Sequence, residues 1–180
     1  TTLFRSLILC LIFLSSSHLT ILSPLYHTDR LRSRKESTMA EGSYSEGRRV
    51  GVAVDFSPCS RKALKWAMDN LLRKGDHLIL ITVRHEGDYE SGEVQLWEDT
   101  GSPLIPFCDF SNPHTMKKYG VMPDPETLEI VNCAAKENGV LPILKIYWGD
   151  PRENICEAVE KIPLDCLVIG NRGLGKIKRE

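Results

Sequence analysis

The sequence has almost no net charge: 23 Lys and Arg stand against 24 Asp and Glu in 180 residues, for a formal value of -1. No global field therefore draws the chain to nucleic acid or to an acidic membrane surface. The basic stretches at 30–35 and 176–179 read as solvated charge runs. Long apolar runs are also lacking. Residues 7–14 (Leu-Ile-Leu-Cys-Leu-Ile-Phe-Leu) form a run well short of the roughly 20 residues that cross a bilayer. The six cysteines include no C-x-x-C pair, and no His stands at zinc-finger spacing from two of them, which excludes the common zinc modules. Cys133, Cys156 and Cys166 lie in apolar stretches and read as reduced thiols acting as small hydrophobes. None of the five histidines has an acid or nucleophile at triad spacing, and no pair of carboxylates is placed for acid–base work.

What the chain does have is globular: 42% hydrophobic and 26% charged residues are enough to build a core and too apolar for disorder. The first 47 residues stand apart. Arg5 followed by the apolar run has the outline of a signal peptide or anchor within residues 3–25. The competing reading is that residues 1–38, upstream of Met39, are spurious sequence, and that 26–49 form a disordered lead-in. Residues 1–47 are thus expected to be a disordered or spurious extension, and the domain to occupy 48–180.

From residue 50 a strand–helix rhythm begins. Residues 50–55 (Val-Gly-Val-Ala-Val-Asp) are a short apolar run ending in an acid, the pattern of a parallel strand buried on both faces. Ser57 and Pro58 suit a helix cap and first turn; Ala63, Leu64, Ala67, Met68 and Leu71 follow at helical spacing, with Gly75 just past the expected end. Residues 77–83 are the second strand. The next 40 residues, 84–123, break the rhythm with four glycines and four prolines, with Trp97, Phe107 and Phe110 among them; so long a connection is generally functional or mobile. Asp124-Pro125 opens the second helix, 141–148 is the third strand, Asp150-Pro151 opens the third helix, and 166–169 is the fourth strand. This alternation implies a doubly wound parallel α/β sheet, which binds ligands beyond the carboxyl ends of its strands.

That rule selects Asp55, Val83 and the glycine-rich turn at 170–175. Asp55 can accept hydrogen bonds from ribose hydroxyls or simply cap a helix. Val83 could meet an adenine edge or be core. Gly170 and Gly173 let the backbone approach a phosphate, with Arg172 and Lys176 as nearby cations, or form a plain turn. Gly170 to Lys176 also spells the start of a P-loop, but Ile177 stands where Ser or Thr would bind magnesium, so that reading is set aside.

Residues 50–57 (Val-Gly-Val-Ala-Val-Asp-Phe-Ser), 63–67 (Ala-Leu-Lys-Trp-Ala), 149–153 (Gly-Asp-Pro-Arg-Glu) and 168–175 (Val-Ile-Gly-Asn-Arg-Gly-Leu-Gly) together resemble plant-type universal stress proteins of the UspA family. The long connection, with Leu96-Trp97-Glu98 and 102–106 (Ser-Pro-Leu-Ile-Pro), resembles the insertion of the plant branch. The resemblance implies a Rossmann-type sheet of five parallel strands in order 3-2-1-4-5, usually dimeric, with four of the strands present here. It implies ATP or AMP binding, with Mg2+ accompanying ATP, in a cytoplasmic stress-response protein that is at most a slow ATP hydrolase. The implied site has Asp55 on the ribose, Val83 and Ile169 on the adenine, and Gly170, Arg172 and Gly173 beginning the phosphate cradle. The family motif G-x2-G-x9-G-[ST] runs past Glu180, so the resemblance implies a domain incomplete at its C-terminus, without its fifth, dimer-forming strand. Relatives without the full motif make a nucleotide-independent, chaperone-like interaction module the alternative function.

Overall fold

The computed structural model describes residues 10–14, 19–22, 47–84, 97 and 100–170; of the first two segments only the backbone is described. Seven strands form one sheet: β1 (Cys10–Leu14), β2 (Leu19–Leu22), β3 (Arg49–Ala53), β4 (His77–Arg84), β5 (Ile105–Pro106), β6 (Leu141–Trp148) and β7 (Cys166–Gly170). Their order is β2-β1-β7-β3-β4-β6-β5. The β1–β7, β7–β3, β3–β4 and β4–β6 pairs are parallel, which makes five parallel strands; β2 and β5 add antiparallel edges. The expected doubly wound fold is therefore present.

The helices are α1 (Pro58–Asn70), α2 (Phe107–Phe110), α3 (Pro113–Lys117), α4 (Pro125–Glu137) and α5 (Pro151–Lys161). The three long ones start in the same way. Ser57, Asp124 and Asp150 each accept a backbone N–H of the first turn, and each is followed by proline. The side chain satisfies a donor that the helix leaves open, and proline gives up a donor that has no partner there. One end differs from expectation: α1 stops at Asn70, and Gly75 (φ 86) instead makes the turn into β4. Past the helix end Leu72 turns into the core, Arg48 Nη2 donates to the Leu71 carbonyl, and Asp76 accepts the Arg73 N–H together with Arg48 Nε and Nη2.

Side chains alternate across the sheet. Val50, Val52, Leu78, Leu80, Leu144, Ile146 and Val168 face α1 and α4, where they meet Ala63, Leu64, Ala67, Val131 and Ala134. Ile79, Ile81, Tyr147 and Leu167 face the other way, toward Ala158, Ile162 and Leu164 around α5. Burying one residue such as Leu64 contributes about 1.5–3 kcal/mol relative to leaving it exposed. Part of the long connection packs on the first face too. Trp97 stacks 6.3 Å from Trp148 and lies 5.2 Å from Tyr119.

The expected picture had the fourth strand, now β7, exposed at the sheet edge. Instead Cys10–Leu14, from the segment expected to be a disordered or spurious lead-in, pairs along all of β7, with Phe13 level with Ile169 and Leu14 with Gly170. Neighbouring backbone supplies partners for the N–H and C=O groups that an open edge leaves free. Of the remaining lead-in, residues 1–9, 15–18 and 23–46 lie outside the described residues. No helix among the described residues is long and apolar enough to cross a membrane. Of the three cysteines read as small hydrophobes, Cys166 is buried and Cys133 half-buried, but Cys156 is exposed on α5.

Candidate functional site

The crevice follows from the topology. From β3 the chain passes through α1 to β4 on one side; from β6 it passes through α5 to β7 on the other. The winding thus reverses between β3 and β7, and in such sheets the carboxyl ends flanking the reversal form a crevice. β3 ends first: Ala53, its last residue, pairs with both Ile81 and Ile169, the Val54 N–H donates to the Ile81 carbonyl at 2.8 Å, and β4 runs three residues further to Arg84.

Four of the six residues expected at the site lie along this edge. Asp55 follows β3 and is exposed. Its Oδ1 accepts the Ser57 N–H at 3.0 Å, and its own N–H donates to Ser60 Oγ at 3.4 Å. This ties the carboxylate to the first turn of α1, at the positive end of the helix dipole. Val83 near the end of β4 and Ile169 near the end of β7 are half-buried on the α5 face. Gly170 ends β7, and a Cβ there would stand 2.9 Å from the Cys59 carbonyl oxygen. Glycine is needed because α1 begins directly against the strand end. Arg172 and Gly173 lie outside the described residues.

Sequence reasoning missed the support beneath Asp55. Phe56 has φ 60, a conformation that costs a non-glycine residue roughly 1–2 kcal/mol. Arg61 holds that turn: its Nη1 donates to the Phe56 carbonyl at 2.8 Å and reaches Asp124 Oδ1 at 3.3 Å, while its Nε lies 2.8 Å from Glu126. A signal was present. A cation in the first turn of a helix with no acidic residue there opposes the dipole, and so calls for acids from elsewhere in the chain.

The edge thus combines a carboxylate that accepts hydrogen bonds, two half-buried aliphatic side chains for a flat apolar ring, and a strand end stripped of its side chain. No cluster of three or more metal-binding side chains is found among the described residues.

A doubly wound parallel α/β domain with its crevice between adjacent central strands is one class of fold with many occupants. The family is given by sequence: residues 47–179 match the model of the universal stress protein family, to which this chain belongs. From Arabidopsis thaliana, universal stress protein PHOS34 is 29% identical over 145 residues, covering 73% of this chain and 52% of that protein. Universal stress protein PHOS32 of the same plant is 26% identical over 141 residues, covering 73% and 54%. The chain therefore spans about half the length of these relatives. Among solved structures, a universal stress protein in complex with cAMP is similar at 24% identity, with a TM-score of 0.46, covering 74% of this chain and 82% of that one.

Proposed function

We propose that this universal stress protein binds an adenine nucleotide, ATP or AMP, at the carboxyl edge of its sheet. The carrying observation is that Asp55 and Gly170 close adjacent strands at the point where the winding reverses. Asp55 accepts the ribose hydroxyls. Val83 and Ile169 hold the adenine, whose ring suits their half-buried aliphatic surface. The Gly170 strand end, with Arg172 and Gly173 after it, receives the phosphates, where backbone can approach without side-chain obstruction. Mg2+ accompanies the triphosphate and neutralises part of its charge; no side chain is assigned to it.

The reading assigns binding and no catalytic residue, so turnover is at most slow hydrolysis. It locates the protein in the cytoplasm, where cysteine thiols stay reduced. The protein partner assigned is a second copy of the chain, as a homodimer of the complete protein, which light scattering tests.

Equilibrium titration with labelled ATP and AMP tests the proposal. Saturable binding is expected, and Asp55→Ala should weaken it about tenfold, the worth of one hydrogen bond to a charged group. Absence of saturation at millimolar nucleotide would reject it. Holdase activity indifferent to ATP would then favour the nucleotide-independent interaction module.

A further inference from the structure

A second cleft, of about 440 Å³, runs along the α5 face of the sheet, away from the carboxyl edge. Its floor is Ile79 and Ile143, which are level on adjacent strands β4 and β6. The last turn of α5 and its exit, with Ile162 and Pro163, form one wall, and the loop at 100–104, with Leu104, forms the other. That volume lies within the range of sites for small organic ligands.

The charged lining is basic. Arg49, Lys145 and Lys161 line the cleft beside His77, Thr100 and Tyr147, and among the described residues no Asp or Glu does. Of the neighbouring acids, Glu157 pairs with the lining residue Lys161, and Asp165 accepts the Arg49 backbone N–H at 2.8 Å. Burial first, then repulsion from Lys161, lowers the affinity of Lys145 for its proton, with Glu157 pulling the other way. An anion between the two lysines would relieve that repulsion.

Two buried polar atoms in the lining have no hydrogen-bond partner among the described residues: Tyr147 Oη and His77 Nδ1. Tyr147 is 1% exposed. A buried hydroxyl without a partner is destabilising, so its retention calls for an occupant. The surroundings of Tyr147 are built rather than loose. The Lys145 ammonium lies 5.2 Å from the ring centroid and donates to the Thr100 carbonyl at 2.8 Å and to the Ser102 carbonyl. Ser102 in turn exchanges hydrogen bonds with the Ile146 backbone at 2.7 and 2.9 Å. Gly101, at φ +70, lies so close over the ring that a Cβ would come 2.9 Å from it.

The register gives the site its length. His77 is level with Leu141. Lys145 is therefore about 13 Å further along the sheet and Tyr147 about 20 Å, at roughly 3.3 Å per residue. The cation and hydroxyl at one end and the imidazole at the other cannot hold the same small group, and apolar surface separates them.

We propose that this cleft binds an elongated organic carboxylic acid. Its carboxylate lies at Lys145 and Tyr147 Oη, its apolar body over Ile79 and Ile143, and a hydroxyl at its far end meets His77 Nδ1. An inorganic anion would leave the floor uncovered, and a neutral apolar molecule would leave both buried polar atoms unmet.

Calorimetric titration of the 180-residue chain with decanoate, 10-hydroxydecanoate, 1,10-decanediol and inorganic phosphate tests this; a ten-carbon chain is long enough to reach from Lys145 to His77. Decanoate is expected to saturate below millimolar concentration, 10-hydroxydecanoate to bind several-fold tighter, and the uncharged diol about tenfold more weakly than the hydroxy acid. Phosphate should show no saturation. Tyr147→Phe removes only the unmatched hydroxyl, and it should keep the fold while weakening decanoate binding about tenfold. Lys145→Met should weaken it at least as much, and Asp55→Ala should leave it unchanged. The proposal is overturned if no acid saturates at millimolar concentration, if the diol or phosphate binds as well as the acid, or if a folded Tyr147→Phe protein binds decanoate as tightly as the parent.

Discussion

The two faces of the sheet are built to different standards. Among the described residues, the face under α1 and α4 carries a cluster of 22 buried apolar residues, against seven on the face under α5. β6 shows the contrast within one strand: Leu144, Ile146 and Trp148 are buried toward the first cluster, while Ile143 and Lys145 on the other side are half-exposed. A central parallel strand ordinarily reads as a continuous apolar run because both its faces are covered. Lys145 interrupts that run where the cleft lies. One face carries most of the buried core, and the other leaves a cleft at some expense in packing.

The largest test of this contrast compares two truncations. Leu64→Ala empties a site with no exposure, for which about 2–5 kcal/mol of lost stability is expected. Ile143→Ala, on the half-open face, should cost under about 1.5 kcal/mol, because solvent already reaches the side chain. Urea unfolding of the two variants measures both. Equal losses would mean that the α5 face is as tightly packed as the other.

The next effect sits between the faces, at the end of β7. Gly170→Ala sets a methyl 2.9 Å from the Cys59 carbonyl oxygen and 3.3 Å from the Ala63 Cβ, and neither helix backbone nor a Cβ can swing aside. A loss of about 1–3 kcal/mol, in the range of overpacked cores, is expected. The same variant should abolish saturable ATP binding, since α1 and β7 must separate to admit the methyl. A variant of unchanged stability would show that the strand end is looser than drawn.

Legibility divides along the same lines. The alternating faces, four of the strands, and the starts of α1, α4 and α5 follow from neighbours in sequence. A cap residue followed by proline acts within one turn, and a buried parallel strand announces itself in five or six residues. That Asp55, Val83, Ile169 and Gly170 stand at or near strand ends was legible because ending a strand is also a local property. The rest depends on partners far apart in the chain. Nothing near Cys10 indicates that it will pair with Cys166. Arg61 finds Asp124 and Glu126 more than 60 residues on. The cleft arises only when the 100–104 loop, held by Ser102, folds over β6 and α5 closes from the other side. Lys145 in isolation reads as a surface residue of an edge strand, and Tyr147 as core.

The smallest expected effect concerns Tyr147 in alkaline solution. Burial first, and then the Glu157 carboxylate, push its hydroxyl up to about 12 from an ordinary value of 10.0. Between those values the folded protein keeps a proton that the unfolded chain releases, so the stability tied to this group is complete below pH 10 and is lost as pH rises toward 12. Lys145 acts in the opposite sense. Its proton is held less tightly in the folded state than the ordinary 10.5, so its contribution improves as pH rises toward that value. Chemical denaturation as a function of pH separates the two. Tyr147→Phe should flatten the decline above pH 10, and Lys145→Met should remove the gain just below 10.5. An unchanged alkaline slope in the Phe variant would mean that the hydroxyl reaches solvent, and the α5 face would then lose the buried donor that distinguishes it from the other.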